Sequence, residues 1–200
     1  MNGLVFYIGL GLGLALAAGV RPFLPALLAG ALASSKVLGV SFAVGDYTFL
    51  YSDWWLAAVT AGLALAYLAQ WRLGSQRFET GQPAAALAGI GIGFGALLFA
   101  GTLAAHGDAP WPGLIGGAAA AALAQAVVRP LAVRTRARLP DRGAREAVTV
   151  YLDSVSLVLA ALVALLHPLG YVALGLFAWL WLRMRRRSEE KYAGLRILRR

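Results

Sequence analysis

The chain has 200 residues, 60% of them hydrophobic and 14% charged, with a formal net charge of +9 and no cysteine. A soluble domain of this length carries roughly a quarter charged residues, so the composition excludes a water-exposed globule and requires lipid as solvent. The missing cysteines exclude disulfides, thiolate metal sites and a thiol nucleophile.

Apolar runs near 4–20, 54–71, 84–105, 113–128, 147–166 and 169–184 approach the ~17–25 residues of a spanning helix. They predict an all-α, polytopic membrane bundle of six or seven spans, the count depending on 22–51. The first run has no basic segment before it, and its first cation, Arg21, follows it. That order predicts an uncleaved first helix rather than a signal peptide. Gly9 and Gly13 in the first run, and Gly91 and Gly95 in the third of the long runs, have the small-xxx-small spacing that lets helix backbones approach in lipid. As a dinucleotide loop they fail, because no strand precedes them.

After Arg21-Pro22 come a short apolar piece to Ala33, then Ser34-Ser35-Lys36, then a second short piece to Val44. A straight helix over 22–45 would hold Lys36 past its middle, where a lysine costs about 2.5–3.5 kcal/mol on insertion scales. A broken or re-entrant segment avoids that cost, and irregular backbone at such depth must be covered by protein or line a cavity. Ser35 and Lys36 are therefore candidate substrate-binding residues. The competing reading is a tilted helix whose lysine snorkels to the interface. Tyr47 to Trp55 then gathers aromatics beside Asp46 and Asp53, as at a lipid-water boundary, and Ser52 or Asp53 can cap the helix that follows. His106 and Asp108, with Trp111 nearby, do not complete a metal coordination sphere, and no metal or cofactor is expected. No Ser-His-Asp order and no His-Glu-x-x-His spacing suggests an enzyme.

The run over 113–128 is expected to stop at Arg129-Pro130, since proline disfavours helical geometry at its predecessor. Val128-Arg129-Pro130-Leu131 echoes Val20-Arg21-Pro22-Phe23, and Tyr151 with Asp153 echoes Tyr51 with Asp53. These echoes predict two diverged repeats, 1–83 and 84–184, with a basic tail over 185–200. Six spans make the repeats inverted and seven make them parallel, and the interruption at Ser34 to Lys36 favours the inverted case. A competing alignment pairs Gly9, Gly11, Gly13 and Gly19 with Gly91, Gly93, Gly95 and Gly101.

Six arginines lie in 129–145 and eight basic residues in 183–200. Clustered at helix ends, they follow the positive-inside rule rather than the interleaved pattern of a nucleic-acid groove. They predict a bacterial inner-membrane protein with a cytoplasmic C-terminus whose tail lies on anionic lipid headgroups. The small-residue faces also permit a homo-oligomer, and no nucleic-acid partner is expected.

Ala18-Gly19-Val20-Arg21-Pro22-Phe23-Leu24-Pro25, with Arg129 and the Asp153 run, resembles the small bacterial membrane proteins grouped as domain of unknown function 4126. The resemblance is sharpest over 12–32 and looser over 123–170, and it implies a multi-pass inner-membrane protein with an internal repeat but no assigned activity. It also implies acidic residues near the end of the third apolar element and a Glu-Asp pair in the second half. This chain has Gln70-Trp71-Arg72 and Leu152-Asp153 at those places.

Arg21 and Arg129 are the leading candidates for binding an anion, because a guanidinium beside a helix break presents fixed donors. Asp53 and Asp153 are their natural partners. Repeated halves with interrupted segments point to a transporter or channel for a small anionic solute or an anionic lipid headgroup. The alternative is a non-transporting scaffold, with the arginines marking membrane boundaries and the aspartates capping helices.

Overall fold

The computed structural model describes residues 3–35, 37–42, 45–74 and 81–197. Its order is α1 (Gly3–Val20), α2 (Phe23–Ser35), a 3-10 turn (Gly45–Tyr51), α3 (Asp53–Leu73), α4 (Gln82–Ala104), α5 (Trp111–Ala137), α6 (Arg142–Leu165) and α7 (Leu169–Ile197). There is no strand among the described residues. Five helices, α1, α3, α4, α5 and α6, are long and apolar enough to cross a membrane. The segment 22–51 contributes the shorter α2, of 13 residues, and the last apolar run becomes the first half of α7, which continues unbroken through Arg183 to Ile197.

Local chemistry explains the helix ends. Pro22 has no N–H to continue the α1 ladder and disfavours helical geometry at Arg21, so α1 stops and α2 starts anew. Ser52 caps α3 by accepting from the Trp55 N–H at 3.4 Å, and Asp141 caps α6 by accepting from Ala144 at 3.3 Å. Pro83 opens α4 and Pro112 opens α5, where a missing N–H costs nothing. Pro130 does not end its helix: α5 runs through it to Ala137. Membrane helices tolerate such a proline because neighbouring groups re-satisfy the freed carbonyl.

Glycine contacts fix the directions of packing. A Cβ on Gly9 would lie 2.5 Å from the His167 carbonyl oxygen, and one on Gly13 would lie 2.4 Å from Val163, so α6 runs antiparallel to α1. Gly91 meets the Ala18 carbonyl and Gly95 the Ala15 carbonyl, so α4 is antiparallel to α1 as well. Gly19 meets Ala121 and Gly11 meets Phe99, which also covers Gly116, so α5 runs parallel to α1. All four glycines read as packing positions thus pack inside this chain. Phe23 lies against Gly62 and Leu56 against Gly30, making α2 antiparallel to α3. Gly39 reaches the His167 ring, so α2 and its loop return toward the end where α1 begins.

The helices alternate in direction, so any two consecutive triplets are inverted, and direction alone says nothing of a repeat. Packing differs between the halves: α2 lies on α3 and α6, whereas α5 lies on α4 and α1. Arg21 follows a helix break while Arg129 is inside a continuous helix. Their helices run parallel, whereas the helices of Asp53 and Asp153 run oppositely. The two Arg-Pro sites of the echo thus sit in different surroundings.

A Cβ on Gly117 would lie 2.3 Å from the Gly95 carbonyl oxygen, backbone against backbone, while one on Gly93 meets nothing within 4 Å. Gly117→Ala is expected to destabilise the protein by about 1–3 kcal/mol, and Gly93→Ala to be neutral or stabilising by up to about 1 kcal/mol. Thermal unfolding in detergent checks both.

Candidate functional site

The charged centre begins at the α1 break. The Arg21 Nε lies 3.1 Å from Asp153 Oδ1, with side chains only 13% and 10% exposed. The Tyr67 hydroxyl donates to the other oxygen, Oδ2. Helices α1, α3 and α6 thus meet at one carboxylate. Asp153 lies about 16 Å along α6 from its start, and Leu87, beside Arg21, about 8 Å along α4. The pair is therefore inside the bundle and not at its surface.

A second tier lies one helical turn nearer the start of α6. Thr149 Oγ1 accepts from Gln70 Nε2 and from Arg136 Nη2, each at 2.8 Å. Arg136 Nε also donates to the Arg145 carbonyl at 3.2 Å. Gln70, Thr149 and Arg136 are all buried. On α6, Thr149, Asp153 and Ser156 lie on one buried stripe that Ala160 and Val163 continue, at the spacing of one helix face. Ser156 donates to the Asp153 carbonyl at 2.8 Å.

Arg21 separates two spaces. On the Asp153 side, about 20 Å³ remains between Arg21, Tyr67 and Asp153, too little for any solute larger than a water. On the other side lies a cavity of about 90 Å³ among Arg21, Arg129, Gln125, Leu87, Val128 and further apolar residues, with no carboxylate among the described residues of its lining. Gln125 donates to the Ala88 carbonyl at 2.9 Å and closes one wall. Arg21, Arg129 and the nearby Arg136 bring three guanidiniums close to Asp153.

The sequence-predicted residues distribute unevenly. Arg21 and Asp153 pair, and Arg129 shares the cavity with Arg21. Asp53, expected beside the arginines, is exposed in the first turn of α3, about 20 Å along that helix from Tyr67. Ser35 is exposed at the far end of α2, its hydroxyl bonded to the Ala31 carbonyl, and Lys36 lies outside the described residues. Tyr67, Gln70, Thr149, Gln125 and Arg136 were not anticipated. The spacing of Thr149 and Asp153 on one helical face, and of Tyr67 and Gln70 on another, is the signal that could have found them.

At the opposite end of the bundle, the Tyr7 ring stacks on His106, whose Nδ1 is 2.8 Å from the Thr102 carbonyl. His167 lies in the α6–α7 turn beside Gly39. Among the described residues no group of three or more His, Cys, Asp or Glu side chains is placed to hold a metal. No family model, curated protein or solved structure matches the chain, so the reading of the site rests on its geometry.

Two predictions follow from these contacts. Asp153→Ala removes the carboxylate from a buried guanidinium and is expected to cost about 3–5 kcal/mol, with Arg21→Leu/Asp153→Leu recovering much of it. A double-mutant cycle on unfolding in detergent measures the coupling. For His167, burial first and the charge of His106 second lower the pKa from its ordinary 6.5. The unfolded chain then binds this proton more readily, so the contribution to stability is present above pH 6.5 and is lost as pH falls below it. Melting curves between about pH 7.5 and 5 should fall less steeply in His167→Gln.

Proposed function

We propose that this integral membrane protein binds an anion at the Arg21 and Arg129 cavity and moves it across the bilayer. The observation that carries this reading is the cavity between two guanidiniums, one of them fixed by Asp153, inside a bundle of apolar helices. The scaffold alternative relied on small-residue faces for a partner, and Gly91 and Gly95 are already covered by α1 and α5.

Charge segregation supports an orientation. Arg72, Arg134, Arg138 and Arg145 gather at the end where α3 and α5 finish, while Asp46, Asp53 and Asp108 lie at the other end. By the positive-inside rule the arginine end faces the cytoplasm, and α7 runs toward it. A bacterial inner membrane fits this distribution and the resemblance to domain of unknown function 4126, which also accounts for a multi-pass bundle.

Reconstitution in liposomes tests the transport reading in two arms. One follows efflux of phosphate, sulfate, acetate or chloride, and the other follows flipping of a fluorescent phosphatidylglycerol. One arm should exceed protein-free vesicles, and Arg129→Gln should cut that flux about ten- to a hundredfold, the loss of one charged hydrogen bond, while the protein still inserts and folds. No flux in either arm overturns the transport reading.

A further inference from the structure

The end of the bundle opposite the arginines holds both histidines of the chain, and each is fixed by its neighbours. His106 stacks on the Tyr7 ring, centroids 3.2 Å apart. Its Nδ1 donates to the Thr102 carbonyl at 2.8 Å, because a carbonyl can only accept. His167 stands in the α6–α7 turn, where its carbonyl accepts from the Gly170 N–H at 3.2 Å and lies against Gly9 of α1. Its backbone therefore has no room to retreat. The His167 Nε2 is buried and has no hydrogen-bond partner. Against that nitrogen lies the loop that follows α2: a Cβ on Gly39 would be 3.5 Å from Cε1 and 3.6 Å from Nε2, with nothing else within 4 Å. The loop is anchored by Val40 and Phe42, both buried. It is also strained, since Leu38 has a φ of 60°, a left-handed conformation that a bulky side chain disfavours.

We propose that the 37–42 loop is a pH-operated latch, closed on neutral His167 and released when His167 takes up a proton. A neutral imidazole tolerates one unpaired nitrogen, whereas an imidazolium shut in without an acceptor leaves a charged N–H unsatisfied. Water reaches Nε2 when Gly39 moves away, and the same movement lets Leu38 leave its strained conformation. Burial first, and the charge of His106 second, lower the pKa of His167 from its ordinary 6.5. The closed loop thus holds the proton less tightly than the open one, and acid favours opening. The other titratable groups around the pair are Tyr7 on α1, Tyr171 on α7, whose hydroxyl donates to the Val5 carbonyl at 2.7 Å, and the exposed Asp108 beyond His106. Neither tyrosine ionises in this range, and water screens Asp108. Helix α2 runs from Arg21-Pro22 to the latch, so release frees the far end of the helix that begins at the buried ion pair. The latch stands whether or not the arginine cavity binds an anion.

The absence of cysteine allows a direct test by single-cysteine labelling of the full chain in detergent. The probe is dithiodipyridine, which reacts with thiols in mild acid, applied between about pH 7.5 and 5. Val40→Cys reports the latch, the exposed Ser34→Cys calibrates the reagent, and Val127→Cys, at a buried position of α5, reports the bundle. The labelling rate at position 40 relative to position 34 should rise at least about tenfold on acidification, the effect of a one-unit difference in proton affinity. Position 127 should stay unlabelled throughout. In the Val40→Cys background, His167→Gln should abolish the rise. His106→Phe, which keeps an aromatic ring on Tyr7 and removes the second cation, should move the midpoint to higher pH. A flat ratio in the parent, an undiminished rise in His167→Gln, or labelling at position 127 in step with position 40 overturns the latch. If His167→Gln does not fold, an unmoved midpoint in His106→Phe overturns it as well.

Discussion

An arginine held inside an apolar bundle sets the terms for this structure. On insertion scales a central arginine costs about 2.5–3.5 kcal/mol, and the cost falls only if a carboxylate and hydrogen-bond partners come to it. Asp153 supplies the charge and Tyr67 shares the carboxylate. Because Arg21 directly follows α1 while Asp153 belongs to α6 and Tyr67 to α3, satisfying Arg21 brings three helices together. The Arg21-Pro22 break depends on the same assembly, since chain that leaves helical geometry within the bundle must be enclosed by protein.

Such an assembly cannot be driven by the hydrophobic effect, because lipid is as apolar as leucine, and close packing must take its place. Helix α1 is enclosed by α4, α5, α6 and α7, and glycine lies at each of its main crossings. Gly170 is the extreme case: a Cβ there would come within 1.8 Å of the Gly9 carbonyl oxygen. These approaches decide whether Arg21 reaches Asp153 at 3.1 Å, because side chains at the crossings would move α6 away from α1. The small residues and the ion pair are two parts of one device.

That dependence also explains what could be read from the sequence. The apolar runs and the arginine clusters report the solvent around each segment, so a helical membrane bundle, Arg21 and Asp153 were all legible. Pairing was only half legible. Asp53 and Asp153 stand in the same local motif, and which one faces an arginine depends on helix direction, which no local pattern encodes. Pro130 misled because its cost depends on neighbours that reach the freed carbonyl. Arg136 was read as one of several topological charges, yet it is buried, since Thr149 and the Arg145 carbonyl are there to receive it.

Arg136 links α5 to the tier one turn from the ion pair. It sits near the end of α5, and its hydrogen bonds to Thr149 and to the Arg145 carbonyl cross to α6. Arg145 in turn donates to the Leu139 carbonyl at 2.8 Å and ties the turn back on itself. The two helices are thus clamped at their base, while above it α5 follows α4 and α6 follows α1 and α2. The same tier hydrogen-bonds Gln70 to Thr149 one turn from Asp153, so one network joins the base of α5 and α6 to the buried ion pair.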